Sequence, residues 1–182
     1  IVGLGAYDKT GVSTTYVAAP TVKIANASNG IKVSWNKISG ATGYTVYRSQ
    51  YSNGKWSGWK NMGTASKDKS SWTDKSVKSG TQYRYTVRTV SGKLTSSFKG
   101  TSGLVYLSTP TVKIANASTG MKLTWNKITG AKSYIVYRSE YTGGKWSGWK
   151  KISTVGAVTS TVDTTAKSGV NYKYAVKAVN GA

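Results

Sequence analysis

Short stretches in which apolar and polar residues alternate recur along the whole chain. In residues 31–35, Ile31, Val33 and Trp35 alternate with Lys32 and Ser34, so the apolar side chains would share one face of a strand. Asn-Gly and Ser-Gly pairs separate such stretches, and no segment shows the period of a helix. The pattern predicts an all-β chain made of short strands.

Two further stretches predict which side chains face the core. Residues 44–48 and 83–90 alternate in the same way. The predicted inward side chains are Tyr44, Val46, Tyr83, Tyr85 and Val87, and the predicted outward ones are Tyr47, Arg84, Thr86 and Arg88. Asn53-Gly54 predicts a hairpin turn, because both central positions of a type I′ turn need positive φ. Residues 55–62 are then predicted to form the return strand.

The pattern repeats after ninety residues. Segment 20–62 returns as 110–152 with roughly 30 of 43 positions identical, and the sequence KWSGWK at 55–60 is unchanged at 145–150. Each strand has one apolar face that needs a partner layer, which predicts two tandem seven-stranded sandwiches. The predicted division is an N-terminal strand segment at 1–19, a first module at 20–109 and a second at 110–182.

These residues resemble fibronectin type III modules over nearly the whole chain. The resemblance is carried by residues 31–35, 43–48 and 79–90 and their second copies. It implies a second-strand tryptophan at Trp35 and Trp125 and a tyrosine corner at Tyr83 and Tyr172. The KWSGWK insertion, the many lysines and the few acids resemble repeats on surface proteins of Gram-positive, clostridia-like bacteria. That resemblance implies an extracellular location at the cell surface or in the cell wall. There is no Arg-Gly-Asp sequence to support integrin-type adhesion.

The amino-acid composition limits the kinds of binding and catalytic site that the chain can form. The chain has 26 Lys and Arg residues and five acidic ones, which gives a net charge of +21. This charge either attracts polyanions or only keeps a solvent-exposed surface hydrated. The chain has no Cys and no His, which excludes disulfides, thiolate or imidazole metal sites and Ser-His or Cys-His catalysis. No cofactor, metal site or membrane span is expected, since no apolar run of 18 residues occurs. No signal peptide is visible either, so the sequence is interpreted as a mature fragment.

Aromatic and cationic residues around the KWSGWK hairpin form a candidate ligand face. Its members are Tyr47, Arg48, Tyr51, Trp56, Trp59, Tyr137, Arg138, Tyr141, Trp146 and Trp149. The two indoles of a module are three residues apart, so one is expected inside and one outside unless Ser57-Gly58 forms a bulge. The basic residues expected on the same outward face are Arg48, Lys55, Lys60, Arg84 and Arg88.

Two interpretations of this face remain open. The rings could be structural packing beneath lysine stems, or they could bind a glycan or an anionic cell-wall polymer. Specific nucleic-acid binding is not expected, because neither a recognition helix nor a phosphate-binding loop is present. No catalytic residue is expected either. Asp74 and Asp163 are single carboxylates at equivalent positions, whereas a glycosidase needs two per site, and Asp74 is predicted to cap a turn.

Residues 1–19 resemble residues 94–109, the end of the first module, and both segments lead into the same Pro-Thr-Val-Lys-Ile-Ala-Asn sequence. The second module is expected to lack its own last strand. Two explanations of this arrangement are open. Either the chain is a fragment cut from a longer array of modules, or its N-terminal strand completes the second module of another copy, head to tail. The candidate assembly strand contains Ile1, Val2, Leu4 and Tyr7. The expected function is a non-enzymatic extracellular spacer that assembles into a filament, and the alternative is a carbohydrate- or anionic-polymer-binding adhesion module.

Overall fold

A computed structural model of the protein describes residues 15–181. This part of the chain consists of strands, turns and loops, which confirms the all-β prediction, and it contains no helix that could cross a membrane. It divides into two compact units. The first unit runs to Val77 and includes Thr81–Tyr106, and the second comprises Lys78–Gly80 and the residues from Leu107 onward.

The first unit contains two antiparallel sheets. Its strands are β1 (Val22–Ala27), β2 (Gly30–Trp35), β3 (Gly43–Ser52), β4 (Lys55–Trp56), β5 (Lys60–Ser66), β6 (Ser71–Asp74), β7 (Gln82–Ser91), β8 (Leu94–Thr95) and β9 (Leu104–Val105). One sheet has the order β1-β2-β6. In the other, β3 lies between β7 and the pair β4 and β5, and β8 and β9 pair with the opposite edge of β7. This is a fibronectin type III-like sandwich.

The second unit repeats this order. Its strands are β10 (Val112–Ala117), β11 (Gly120–Trp125), β12 (Ser133–Thr142), β13 (Lys145–Trp146), β14 (Lys150–Val155), β15 (Ser160–Asp163) and β16 (Asn171–Val179). The order β10-β11-β15 forms one sheet, and β12 pairs with β13, β14 and β16 in the other. Within residues 15–181, no strand pairs with the second edge of β16.

The side chains that the alternating pattern predicts to face inward form the core of the first unit. Ile31 and Val33 are fully buried, and the Trp35 ring packs 5.5 Å from that of Tyr44. The buried set also includes Val46, Tyr83, Tyr85, Val87 and Tyr106. In the second unit Leu123, Trp125, Tyr134 and Val136 take the equivalent places. Trp35 and Trp125 therefore lie where the fibronectin type III resemblance implies.

Tyrosine hydroxyls tie loops to this core. The Tyr172 hydroxyl accepts a hydrogen bond of 2.8 Å from the Lys167 amide, which confirms the tyrosine corner in the second unit. The hydroxyls of Tyr44 and Tyr134 accept hydrogen bonds from the amides of Ile38 and Ile128. Each tyrosine thus fills the core and also satisfies a loop amide.

The Asn53-Gly54 turn has φ values of 49° and 76°, which confirms the predicted hairpin. Gly30 has a φ of 152°, and a Cβ there would lie 2.1 Å from the carbonyl oxygen of Asp74. Only glycine lets β2 begin this close to the end of β6.

We expect Gly30→Ala to lower the free energy of unfolding by about 3 kcal/mol, because the new methyl group overlaps a backbone atom that cannot move independently. Urea unfolding at neutral pH measures the change. Gly54→Ala is the matched control: its methyl group meets nothing within 4 Å, so only the positive φ is unfavourable, at about 1 kcal/mol. Equal losses in both variants would contradict the steric explanation.

Candidate functional site

The strand that returns from the Asn53-Gly54 turn is interrupted within the KWSGWK sequence. Trp56 pairs with Tyr51, whereas pairing with β3 resumes only at Lys60, opposite Arg48. Between them, the Ser57 hydroxyl accepts a hydrogen bond of 3.0 Å from the Gln50 amide, and the Ser57 carbonyl accepts one of 2.7 Å from the Ser49 hydroxyl. The prediction of one continuous strand over 55–62 was therefore wrong.

The interruption turns both indoles of the hairpin to the same side of the sheet. The guanidinium carbon of Arg84 lies 4.5 Å from the Trp56 ring centroid and 4.9 Å from that of Trp59. Neither indole is part of the core, so the two do not face opposite sides of the sheet as an unbroken strand would require. The exception that the sequence left open, a break at Ser57-Gly58, is the one observed. We call the side of the β3–β7 sheet that carries these rings the aromatic face, and its counterpart on β12–β16 the second aromatic face.

In the first unit, the chain itself occupies the aromatic face. The Phe98 ring stacks on Trp59 at 6.1 Å and meets Tyr47 edge-on at 5.0 Å. The guanidinium of Arg88 lies 4.5 Å from the centroid of Phe98 on the same side. We call residues Ser96–Thr101 the cover segment, because they lie over this face between β8 and β9.

Backbone and hydroxyl groups hold the cover segment in place. The Lys99 amide donates to the Thr86 hydroxyl at 3.1 Å, and the Thr101 amide donates to the Tyr85 carbonyl at 2.8 Å. Thr86 is therefore fully buried, although its position in β7 predicts an outward side chain. Sequence reasoning missed this cover. One signal was available: Phe98 is the single phenylalanine of the chain, in a short segment rich in small residues.

Two glycines let the cover segment approach the indoles closely. A Cβ at Gly100 would lie 2.9 Å from ring atoms of Trp59, and one at Gly103 would lie 2.9 Å from the ring of Trp56. A larger residue at either position would push the segment away from the sheet. The first-unit tryptophans are thus half-buried by their own chain.

Arg48 and Arg138 do not belong to the candidate ligand face. Arg48 pairs in register with Tyr85 and so shares its inward side of the sheet. Its Nη1 lies 2.8 Å from the Asp74 carboxylate, and Arg138 lies at the same distance from Asp163. The prediction that Arg48 and Arg138 face outward was therefore wrong. Each can lie on the inward side because a buried carboxylate from the opposite sheet compensates its charge.

Asp74 is the centre of a small buried network. Its Oδ1 accepts hydrogen bonds from the amide and hydroxyl of Ser76, which confirms the predicted turn cap, and its Oδ2 accepts from Arg48 and the Tyr85 hydroxyl. Burial of the carboxylate raises its pKa, but hydrogen bonds from Ser76, Arg48 and Tyr85 outweigh this effect and hold the pKa below its ordinary value of 3.8. Burial and the neighbouring Asp74 raise the pKa of Tyr85.

The second unit carries the same network around Asp163. Its carboxylate accepts hydrogen bonds from Thr165, Arg138 and Tyr174. Burial again raises the pKa of Asp163, and these hydrogen bonds again lower it by more. Glu140 forms an ion pair with the other terminal nitrogen of Arg138, Nη2. Both network carboxylates are acceptors held ionised by their partners, which suits a structural role rather than proton transfer.

The second aromatic face is uncovered within the described part of the chain. Trp146 and Trp149 are 39% and 55% exposed, whereas their first-unit counterparts are half-buried. The ammonium nitrogen of Lys173 lies 4.0 Å from the Trp146 ring, and Tyr141 packs 5.2 Å from the same ring. Tyr137 is half-buried. The identical KWSGWK sequences therefore lie in two different environments.

Other candidate residues divide into two groups. Lys55 and Lys60 are exposed. Lys60 pairs in register with Arg48, and Lys55 with Ser52. Neither lysine therefore lies on the side of the sheet that carries Tyr47 and Tyr51, and the prediction that these lysines share the outward face was wrong. Ile1, Val2, Leu4 and Tyr7, the candidate assembly strand, lie outside the described residues. Among residues 15–181, no group of three or more His, Cys, Asp or Glu side chains is placed to hold a metal ion.

Comparison with solved structures finds chains of similar fold. A two-domain fibronectin type III segment of chicken tenascin is 16% identical and covers 90% of this chain and 93% of its own, with a TM-score of 0.44. The FN1–FN3 domains of chicken CNTN1 are 19% identical and cover 93% and 65%, with a TM-score of 0.44. The chicken interferon gamma receptor alpha chain is 12% identical and covers 87% and 82%, with a TM-score of 0.45. No protein-family model matches the sequence, and a search of curated proteins finds no significant match.

We expect Asp74→Asn to lower the free energy of unfolding at neutral pH by about 3 kcal/mol, because Arg48, whose side chain is only 14% exposed, loses its counter-charge. Since the pKa of Asp74 is lower in the folded than in the unfolded chain, its stabilising effect is present above about pH 4 and is lost as the pH falls below that value. The difference between the native chain and Asp74→Asn should therefore shrink in acid. Urea unfolding at a series of pH values measures it.

Asp68→Asn is the control for this comparison, because Asp68 is an exposed aspartate of the same unit. It should change stability by less than about 0.5 kcal/mol. A difference between the native chain and Asp74→Asn that stays constant into strong acid would contradict the role of the Asp74 charge.

We expect Phe98→Ala to uncover Trp59 and to cost about 1–2 kcal/mol of stability, since the lost ring is 45% exposed. Oxidation by N-bromosuccinimide, read by mass spectrometry, should then become as fast at Trp59 as at Trp149. The protein must be cut only after arginine, because trypsin releases the same WSGWK peptide from both units. Leu94→Ala is the control, at 43% exposure near the same segment, and should leave Trp59 slow. Unchanged oxidation of Trp59 in Phe98→Ala would contradict the cover.

Proposed function

We propose that the chain is a non-enzymatic structural module of an extracellular protein, with its sandwiches acting as spacers at the cell surface or in the cell wall of a Gram-positive bacterium. One observation carries the structural part of this proposal. In the first unit, Phe98 takes the place on the aromatic face where a ligand ring would stack. The location and the source rest on the resemblance of the sequence to bacterial surface repeats.

The contacts of the cover segment oppose ligand binding on the first unit. Phe98 makes two aromatic contacts and one cation–π contact, each of which contributes on the order of 1 kcal/mol. Arg84 already lies over both indoles. A sugar could reach these rings only by displacing the segment and its backbone hydrogen bonds.

The buried carboxylates support a role without catalysis. Asp74 and Asp163 each accept hydrogen bonds from an arginine and a tyrosine inside the sandwich. They are 1% and 6% exposed, so water and substrate have little access to them. Their chemistry is used to join the two sheets of each unit.

A second candidate function is favoured by the second aromatic face. There Trp146, Trp149 and Tyr141 present exposed rings beside Lys173, an arrangement that suits stacking on a sugar or contact with an anionic polymer. This alternative makes the chain a carbohydrate- or anionic-polymer-binding adhesion module.

Binding measurements separate the two functions. For a structural module, we expect no saturable binding to insoluble glycans such as peptidoglycan. We expect binding to polyphosphate that disappears at high salt, because the +21 charge acts only through screened electrostatics. Trp149→Ala and the matched Trp59→Ala should bind equally. Salt-resistant binding that Trp149→Ala loses and Trp59→Ala keeps would replace the structural function with the adhesion function.

A further inference from the structure

A pocket of about 400 Å³ lies beside the KWSGWK hairpin of the first unit. Three cations, Arg48, Lys55 and Lys60, line it together with polar residues that include Gln50 and Ser52. Lys60 pairs with Arg48 and Lys55 pairs with Ser52, and residues directly opposite each other in an antiparallel pair point to the same side. The three cations therefore share the side of the sheet that is turned away from the aromatic face. We call this cavity the basic pocket.

The charges around the basic pocket are mostly positive. Arg48 has a counter-charge in Asp74, whose Oδ2 lies 2.8 Å from its Nη1. Within residues 15–181, neither Lys55 nor Lys60 forms an ion pair. Both lysines are exposed, so the pocket opens to solvent between them. A concave site lined by charges of one sign concentrates ions of the opposite sign.

The network around Asp74 uses only one terminal nitrogen of Arg48. Nη1 donates at 2.8 Å to the Asp74 carboxylate and at 2.8 Å to the Ser76 hydroxyl. In the described part of the chain, Nη2 makes no hydrogen bond and is not among the buried atoms that lack a partner. It is therefore open to solvent on the side chain that lines the basic pocket, and its two N–H groups can donate to an acceptor there.

The second unit shows what this nitrogen binds when an anion is beside it. Arg138 keeps the ion pair of its Nη1 with Asp163, and its Nη2 pairs with the carboxylate of Glu140. Glu140 is the counterpart of Gln50, and both hairpin lysines recur ninety residues later as well. The same set of cations thus holds a carboxylate of the chain itself in the second unit, whereas the first unit has a neutral side chain at that position.

We propose that the basic pocket binds one phosphate group, which takes the place that the Glu140 carboxylate occupies in the second unit. The phosphate accepts hydrogen bonds from Arg48 Nη2 and lies in the field of Lys55 and Lys60. Phosphate suits the site because it carries up to two charges and has enough oxygens to face three cations at once. Its source is either free inorganic phosphate or a phosphate group of a polymer. This site lies away from the aromatic face and goes beyond the spacer function.

Amide chemical shifts, measured while inorganic phosphate replaces chloride at constant ionic strength, test the proposal. In the native chain we expect saturable shifts within residues 48–60 and none within the counterparts 138–150. Gln50→Glu supplies the carboxylate that the second unit already has, and it should weaken phosphate binding about tenfold or more. Lys67→Gln is the matched control, because it lowers the net charge by the same amount at an exposed lysine outside the pocket. It should leave the response of residues 48–60 unchanged.

The reciprocal variant creates a second site. Glu140→Gln frees Nη2 of Arg138, so residues 138–150 should gain the saturable response to phosphate. Asp68→Asn raises the net charge equally and should give no such gain. The side chains that Gln50→Glu and Glu140→Gln introduce already occur at the same position of the other unit, so both variants should remain folded.

The source of the phosphate group is identified by repeating the titration with polyphosphate. A response to polyphosphate alone assigns the basic pocket to a phosphate polymer, a response to inorganic phosphate alone assigns it to the free ion, and a response to both supports the shared chemistry. No response within residues 48–60 to either probe, an equal response in Gln50→Glu, or no gain in Glu140→Gln would each overturn the proposal. None of these titrations measures glycan binding, so the spacer function is tested separately.

Discussion

A strand with one edge paired still has a second edge, and the backbone groups along that edge need partners. In the first unit, β8, the cover segment and β9 supply those partners for β7. The Tyr85 and Thr89 amides donate to the hydroxyls of Thr101 and Ser96. The same segment brings Phe98 onto the rings and guanidinium groups of the aromatic face, so edge pairing and ring packing are achieved by one piece of chain.

The duplication provides an internal comparison of this arrangement. The KWSGWK hairpins are identical in sequence, and in both units the serine at the break makes the same hydrogen bonds to the facing strand. Their tryptophans nevertheless differ in exposure, because only the first unit has a cover segment within the described residues. The exposure of these rings therefore depends on whether a segment lies against the outer edge of the neighbouring strand, β7 or β16, and not on the hairpin. An aromatic and basic sequence can therefore serve packing in one module and remain available in another.

Much of the fold could be predicted from local pattern. Alternation identified Val46, Tyr85 and Trp35 as core residues, and Asn53-Gly54 identified a turn that depends only on its own backbone. Arg48 was misplaced although the alternation puts it on the same face as Tyr44 and Val46, because its charge favoured the surface. The carboxylate that permits its burial, Asp74, is 26 residues away in the opposite sheet, and the sequence contains no signal of that contact. The break at Ser57 likewise depends on hydrogen bonds across the sheet, and the cover depends on a segment nearly forty residues beyond the hairpin.

Residue-resolved hydrogen exchange tests the central claim, that β8, the cover segment and β9 protect the outer edge of β7. The probes are the amides of Tyr85 and Thr89 and their counterparts, those of Tyr174 and Ala178. The account predicts slow exchange at Tyr85 and Thr89 at every protein concentration. It predicts faster exchange at Tyr174 and Ala178, because no strand within the described residues pairs with that edge of β16. Exchange at Tyr85 and Thr89 that is as fast as at Tyr174 and Ala178 would contradict it.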